Sequence, residues 1–75
     1  MIVLTFGQIT DVTGSPSLEI DPVPDTDALN ALLHGLYPGL RQKKYVIAVD
    51  KQTIRENTPL SPASVVALLP PFSGG

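Results

Sequence analysis

The chain has 75 residues, five Lys or Arg against seven Asp or Glu, and a net charge of −2. A domain this small buries only roughly 60–65% of its unfolded surface and usually needs disulfides or a metal as staples; with no cysteine and one histidine, His34, it has neither option. The slight acidity excludes a nucleic-acid footprint, which requires a basic surface.

Hydrophobic residues make up 43% of the chain and charged residues 16%, the balance of a globular domain. Arg41, Lys43 and Lys44 read as a solvated loop. "MIVLTF" lacks the length and cationic flank of a signal peptide, and no run approaches a membrane span. The expectation is a soluble, cytoplasmic protein with no nucleic-acid or membrane partner; absence of cysteine fits a reducing compartment.

In chain order, residues 1–6 are β-branched and aromatic and predict a strand. Gly7 and Gly14 bracket room for a short helix. "SLEI" (17–20) alternates as a second strand, and "DPVPD" breaks the chain with two prolines. Asp25, Thr26 and Asp27 then cap a helix over 26–37, because Ala28, Leu29, Leu32, Leu33 and Leu36 form an i, i+3, i+4, i+7 stripe. Capping explains these two carboxylates better than a magnesium site does. Pro38-Gly39 stops the helix, with Leu40 tucking back. "YVIAVD" (45–50), "QTIR" (52–55) and "VVALLP" (65–70) complete five strands. Leu29, Leu32, Leu33 and Leu36 are expected in the core, with Val3 and Val66 from the sheet.

One helix cannot cover two faces of a sheet, yet the strands are apolar on both sides. Met1, Val3 and Thr5 alternate with Ile2, Leu4 and Phe6; Val65, Ala67 and Leu69 alternate with Val66 and Leu68. The surplus face is expected to meet a protein partner.

The chain offers no catalytic constellation. It has no thiol, His34 sits alone on the predicted helix, and no glycine-rich phosphate loop occurs. Tyr37 and Tyr45 read as packing residues. The terminus "LLPPFSGG" is different. Pro70 and Pro71 remove two donors and end strand pairing, directing the chain into an extended course. Gly74 and Gly75 then present a carboxylate with no Cβ beside it, suited to threading a narrow channel.

"VLTFGQITDVTG", "IAVDK", "TPL" and "VALLPPFSGG", in this order and spacing, resemble the small sulfur-carrier subunit of molybdopterin synthase, a ubiquitin-like β-grasp protein. The resemblance runs nearly end to end. It implies an α+β fold: a mixed five-stranded sheet, strands one and five adjacent and parallel, one main helix on one face, a domain over 1–70 and a flexible tail over 71–75.

It also implies a chemistry. The Gly75 carboxylate would be adenylated by an E1-like, ATP-using adenylyltransferase and converted to a thiocarboxylate with sulfur from a sulfurtransferase or cysteine desulfurase. The tail, through Pro70, Pro71 and Gly74, would thread into the large synthase subunit, in a heterotetramer of two small and two large subunits. There the sulfur would pass to a cyclic pterin precursor in molybdenum cofactor synthesis. The chain would be a sulfur-donating subunit without an active site, binding no cofactor itself; ATP belongs to the activating enzyme. Phe6, Leu69 and Thr53 match interface positions, although Thr53 stands where a larger apolar residue is common. Asp50 replaces an asparagine, and "SPAS" (61–64) replaces an Asp-Gly-Asp turn. Rival readings are the thiazole-forming sulfur carrier of thiamine synthesis, a ubiquitin-like protein modifier, and an interaction module with an inert tail.

Overall fold

The computed structural model describes residues 1–71. It contains β1 (Ile2–Thr5), α1 (Gln8–Thr13), β2 (Ser17–Glu19), α2 (Thr26–Leu36), a 3₁₀ helix (Pro38–Gln42), β3 (Val46–Val49), β4 (Gln52–Thr53) and β5 (Val65–Leu69). The strands form one mixed sheet in the order β2-β1-β5-β3-β4. β1 and β5 lie parallel, from Ile2↔Val65 to Thr5↔Leu68, and the other pairs are antiparallel. The apolar strands take the interior, whereas the short polar β2 and β4 form the edges, where they discourage further pairing.

Alternation along the strands creates two faces. Val3, Thr5, Val66 and Leu68 are essentially sealed from solvent and share the core with Leu29 and Leu33 of α2, Ile9 of α1 and Leu40. Burying each such aliphatic side chain contributes about 1.5–3 kcal/mol. Thr5 is the polar member of this layer, and its hydroxyl bonds Thr10 Oγ1 at 2.9 Å and donates to the Ser15 carbonyl at 2.8 Å. That fixes α1 against the end of β1. Every buried side-chain polar atom among the described residues has a partner.

Helix α2 begins as expected: the Asp25 carboxylate accepts from the Ala28 N–H at 2.9 Å. Asn57, 30 residues further on, adds a second cap by accepting from the Asp27 N–H at 2.9 Å. Thr26 and Thr58 lock the same junction, with Thr58 N–H donating to Thr26 Oγ1 and Thr26 N–H donating to the Thr58 carbonyl. The helix ends one residue early. Tyr37 N–H donates to the Leu33 carbonyl at 2.8 Å, and the 3₁₀ helix folds Leu40 into the core at 0% exposure.

That reversal corrects the expectation for Leu36, which is 54% exposed. At 3.6 residues per turn it lies about 60° to one side of Leu33, and Leu40 occupies the end of the core instead. Leu32 is half-buried against the core. The strand expected through Asp50 also stops earlier. Asp50 (φ 48°) and Lys51 (φ 72°) form a two-residue turn between the paired Val49 and Gln52, the positive-φ pair of a type I′ hairpin. Asp50 Oδ1 accepts from Val65 N–H, and Asp50 N–H donates to the Val65 carbonyl, each at 2.9 Å. These bonds hold the strained turn to the start of β5.

The 61–64 turn is closed without acidic residues. Ser61 N–H donates to Ser64 Oγ at 2.9 Å, and Ser64 N–H returns to the Ser61 carbonyl at 3.0 Å.

Candidate functional site

The sheet face opposite α2 carries Ile2, Leu4, Val65, Ala67 and Leu69, extended by Phe6 just beyond β1. The register sets Leu4, Ala67, Ala48 and Thr53 side by side across four strands. Ile2, Phe6 and Val65 are 41%, 45% and 40% exposed. A side chain of this size is ordinarily withdrawn from water, so three on one face form an apolar patch rather than scattered exposure.

A groove of about 480 Å³ runs over this face, lined by apolar side chains and bordered by Asp50, Lys51 and Thr53. Phe6, Thr53 and Leu69, the three positions singled out in the sequence, all line it. Ala48 and Ala67, in direct register, leave room in it beside the larger Leu4, Phe6, Val65 and Leu69. Lys51 was not foreseen here. Its positive φ follows from a turn that lacks glycine, and no short-range sequence signal announces that conformation.

A second groove, of about 600 Å³, lies between α2, β3 and the segment after β4. It is more polar than the first and of mixed charge, with Asp27, Arg55 and Glu56 beside Val46, Ile47 and Ile54 in its lining, and it shares Thr53 and Leu69 with the first. Leu69 is therefore the ridge between two unlike surfaces. Pro71 lines the second groove, so the root of the tail emerges where they meet. Pro70 and Pro71 are exposed. Gly74 and Gly75 lie outside the described residues.

Tyr45 also lines the second groove. Its hydroxyl donates to Asn30 Oδ1, so His34 Nε2 donates to the Tyr45 oxygen at 2.9 Å. Burial pushes the Tyr45 phenol above its usual range because the phenolate would lose hydration. His34 is half-buried at the helix boundary and occupied by this bond. Among the described residues no group of three His, Cys, Asp or Glu side chains could hold a metal ion, and no helix is long and apolar enough to cross a membrane.

A grooved apolar face beside the root of a proline-led terminus is thus the chief chemical feature of the described chain. The family model described as "ThiS family" matches residues 3–75. This chain belongs to the ThiS family. Its fold is the ubiquitin-like β-grasp, and it is a ubiquitin-like sulfur carrier of the ThiS/MoaD type.

Solved structures agree with this fold over nearly the whole length. SAMP1 from Haloferax volcanii superposes with a TM-score of 0.75 at 25% identity, covering 99% of this chain and 97% of that one. A chain from the complex of subunits 1 and 2 of molybdopterin-converting factor from Helicobacter pylori 26695 gives a TM-score of 0.74 at 32% identity, covering 99% and 96%. A second structure of H. volcanii small archaeal modifier protein 1 has a TM-score of 0.77 at 21% identity, covering 95% of each chain, and speaks to the fold alone.

Proposed function

We propose that this ThiS-family chain is the sulfur-donating small subunit of a molybdopterin synthase. The observation that carries the reading is its 32% identity, over 99% of its length, to a chain of the molybdopterin-converting factor complex. The terminal "PPFSGG" and the apolar groove beside its root fit the same role.

The division of labour follows from the residues. A carboxylate is a poor electrophile, so Gly75 first needs activation. Its oxygen attacks the α-phosphorus of ATP on the activating enzyme and pyrophosphate leaves. A sulfide equivalent then displaces AMP from the acyl-adenylate, leaving the C-terminal thiocarboxylate. Docked on the large subunit, the thiocarboxylate sulfur attacks a side-chain carbon of the pterin precursor. The carbon–oxygen bond there breaks, the oxygen leaving on phosphate or as water. Water then cleaves the acyl–sulfur bond, leaving sulfur on the pterin and the carboxylate on Gly75. This chain contributes a narrow terminus and a docking face; the acids, the nucleotide site and the pterin pocket belong to its partners.

Docking uses the apolar groove. Phe6 and Leu69 supply projecting apolar area, and Thr53 leaves a shallow place that a larger partner side chain fills. Burial of such a patch is the ordinary driving force of a stable subunit contact. The groove flanks Leu69, so the same contact brings Pro70 and Pro71 to the partner surface. The cytoplasm, where ATP and the partner enzymes meet, is the compartment this reading requires.

Similarity to SAMP1, at 25% identity, favours a second reading, in which activated Gly75 forms isopeptides with lysines. One experiment separates the readings. The chain is incubated with an activating enzyme, ATP and sulfide, then offered separately to a molybdopterin synthase large subunit with its pterin precursor and to a thiazole synthase. Sulfur transfer to the pterin alone supports the proposal. Transfer to thiazole alone, or lysine conjugates without a thiocarboxylate, overturns it.

A further inference from the structure

Gly7 stands immediately after β1, and its backbone is set at φ 57°, ψ −133°. L residues rarely adopt that conformation, whereas glycine does so without a Cβ penalty. The torsion turns the chain away from the sheet and into α1: Ile9 N–H donates to the Phe6 carbonyl at 3.2 Å and Thr10 N–H to the Gly7 carbonyl at 3.1 Å. Gly7 makes no side-chain cap for that helix.

A second fact concerns what stands beside it. A Cβ built on Gly7 would lie 3.0 Å from Pro70 Cγ, with no other neighbour within 4 Å. The parallel register explains the meeting. Pairing runs Ile2↔Val65, Val3↔Val66, Leu4↔Ala67 and Thr5↔Leu68, and continuing it by two residues sets Gly7 against Pro70. At this place β1 has lost its side chain and β5 has lost its N–H. A ring fits where a Cβ is missing, and the missing donor leaves no unpaired group.

We infer that Gly7 is a positioning residue for sulfur transfer, acting through Pro70: the gap at Gly7 seats the proline ring and so fixes where the tail leaves the docking face. This rests on the sulfur-carrier reading above. Phe6 of the groove and Gly7 of the seat are consecutive, as are Leu69 and Pro70. Docking face and tail root are therefore coupled through two adjacent residue pairs, one at the end of β1 and one at the end of β5. From Pro70 to Gly75 an extended chain reaches about 18 Å at most. The docked face must hold its distance to the acceptor, so a displaced root shortens the usable reach. Misplacement by about 1 Å at a reacting centre can cost 10²-fold in rate.

The test compares single-turnover sulfur transfer and partner affinity for four full-length proteins. Gly7→Ala is expected to slow transfer at least roughly ten-fold with little change in dissociation constant, because the docking side chains are intact. Gly7→Ala combined with Pro70→Ala should come back toward the rate of Pro70→Ala alone, since the ring that met the methyl is gone and only the torsional cost of an L residue at φ 57° remains. Pro70→Ala alone supplies the reference for that comparison. The fourth protein, made by chemical ligation, has Gly7 replaced by D-alanine. It takes φ 57°, ψ −133° as readily as an L residue takes the mirror-image extended conformation, and its methyl is on the other side of the Cα. It should fold and transfer sulfur like the wild type, which keeps the test alive even where Gly7→Ala does not fold.

Equal slowing by D- and L-alanine, or no recovery in a folded double variant, overturns the inference. So does normal transfer by Gly7→Ala. Failure of the wild type to form a thiocarboxylate would instead overturn the sulfur-carrier reading itself, so the two failures are distinguishable.

Discussion

The two faces of one sheet are built from the same residue types and behave oppositely. On the helix side Val3, Val66 and Leu68 are at 0% exposure; one residue along each strand, Ile2 and Val65 are at 41% and 40%. Strand propensity cannot cause the difference, because both sets are β-branched or aliphatic. The difference is what covers them. Helix α2, Ile9 and Leu40 seal one side, and no element of the described chain seals the other. A fold this small therefore separates stability and recognition by the parity of a strand position.

The strongest way to break that comparison is to truncate the covered side. Leu33→Ala should cost about 2–5 kcal/mol, a large part of the total stability of a small domain, and chemical denaturation should show it partly or wholly unfolded. A loss below about 1 kcal/mol would mean that α2 does not seal this core. Leu36→Ala, on the same helix but exposed, should stay within about 0.5 kcal/mol.

Phe6→Asp probes the open side. Circular dichroism should show a fold and melting temperature close to wild type, while affinity for the large subunit proposed as its partner falls by about thirty-fold or more, as for loss of an interface anchor. An unfolded variant would place Phe6 in the core and contradict the separation of faces.

Much of that separation was legible in the sequence, because alternation and the α2 stripe are local patterns. The five strands, the Asp25 cap, the return of Leu40 and the parallel pairing of β1 and β5 follow the sequence expectation. The groove's three singled-out residues converge because β1 and β5 are neighbours and β3 carries the register on to Thr53 of β4. What escaped depends on distant partners. Asn57 caps α2 from across the chain, Leu36 loses its place to Leu40, and Gly7 meets Pro70 only through sheet register. The Asp50-Lys51 turn escaped for another reason: it lacks the glycine that usually marks positive φ.

The hairpin gives a smaller test at the rim of the open face. Asp50→Asn keeps an oxygen for the Val65 N–H and tolerates positive φ, so stability should change little. Asp50→Ala loses both advantages and should cost about 1–2 kcal/mol. Equal melting temperatures for the three proteins would show that the carboxylate bond does not hold the turn.

The smallest effect is expected at the covered boundary. Because burial raises the Tyr45 pKa in the folded state from the ordinary 10.0, the folded form retains its proton more strongly than the unfolded chain. Its contribution is complete below about pH 10 and is lost as pH climbs through the higher folded value. Thermal melts should therefore fall above that pH, and less steeply in Tyr45→Phe. A slope unchanged by the substitution would remove Tyr45 as the cause. His34→Ala leaves the Tyr45–Asn30 bond in place and should not alter sulfur transfer.

The central claim is that the folded domain presents one reacting carboxylate, that of Gly75. Adding a single residue after Gly75 turns that carboxylate into an ordinary peptide carbonyl without touching either sheet face. Intact-mass measurement after incubation with activating enzyme, ATP and a sulfur source reads the result directly. The native chain should exchange one oxygen for sulfur and then support pterin sulfuration, whereas the extended chain, verified as uncleaved, should do neither. Normal pterin sulfuration by the uncleaved extended chain would contradict the account.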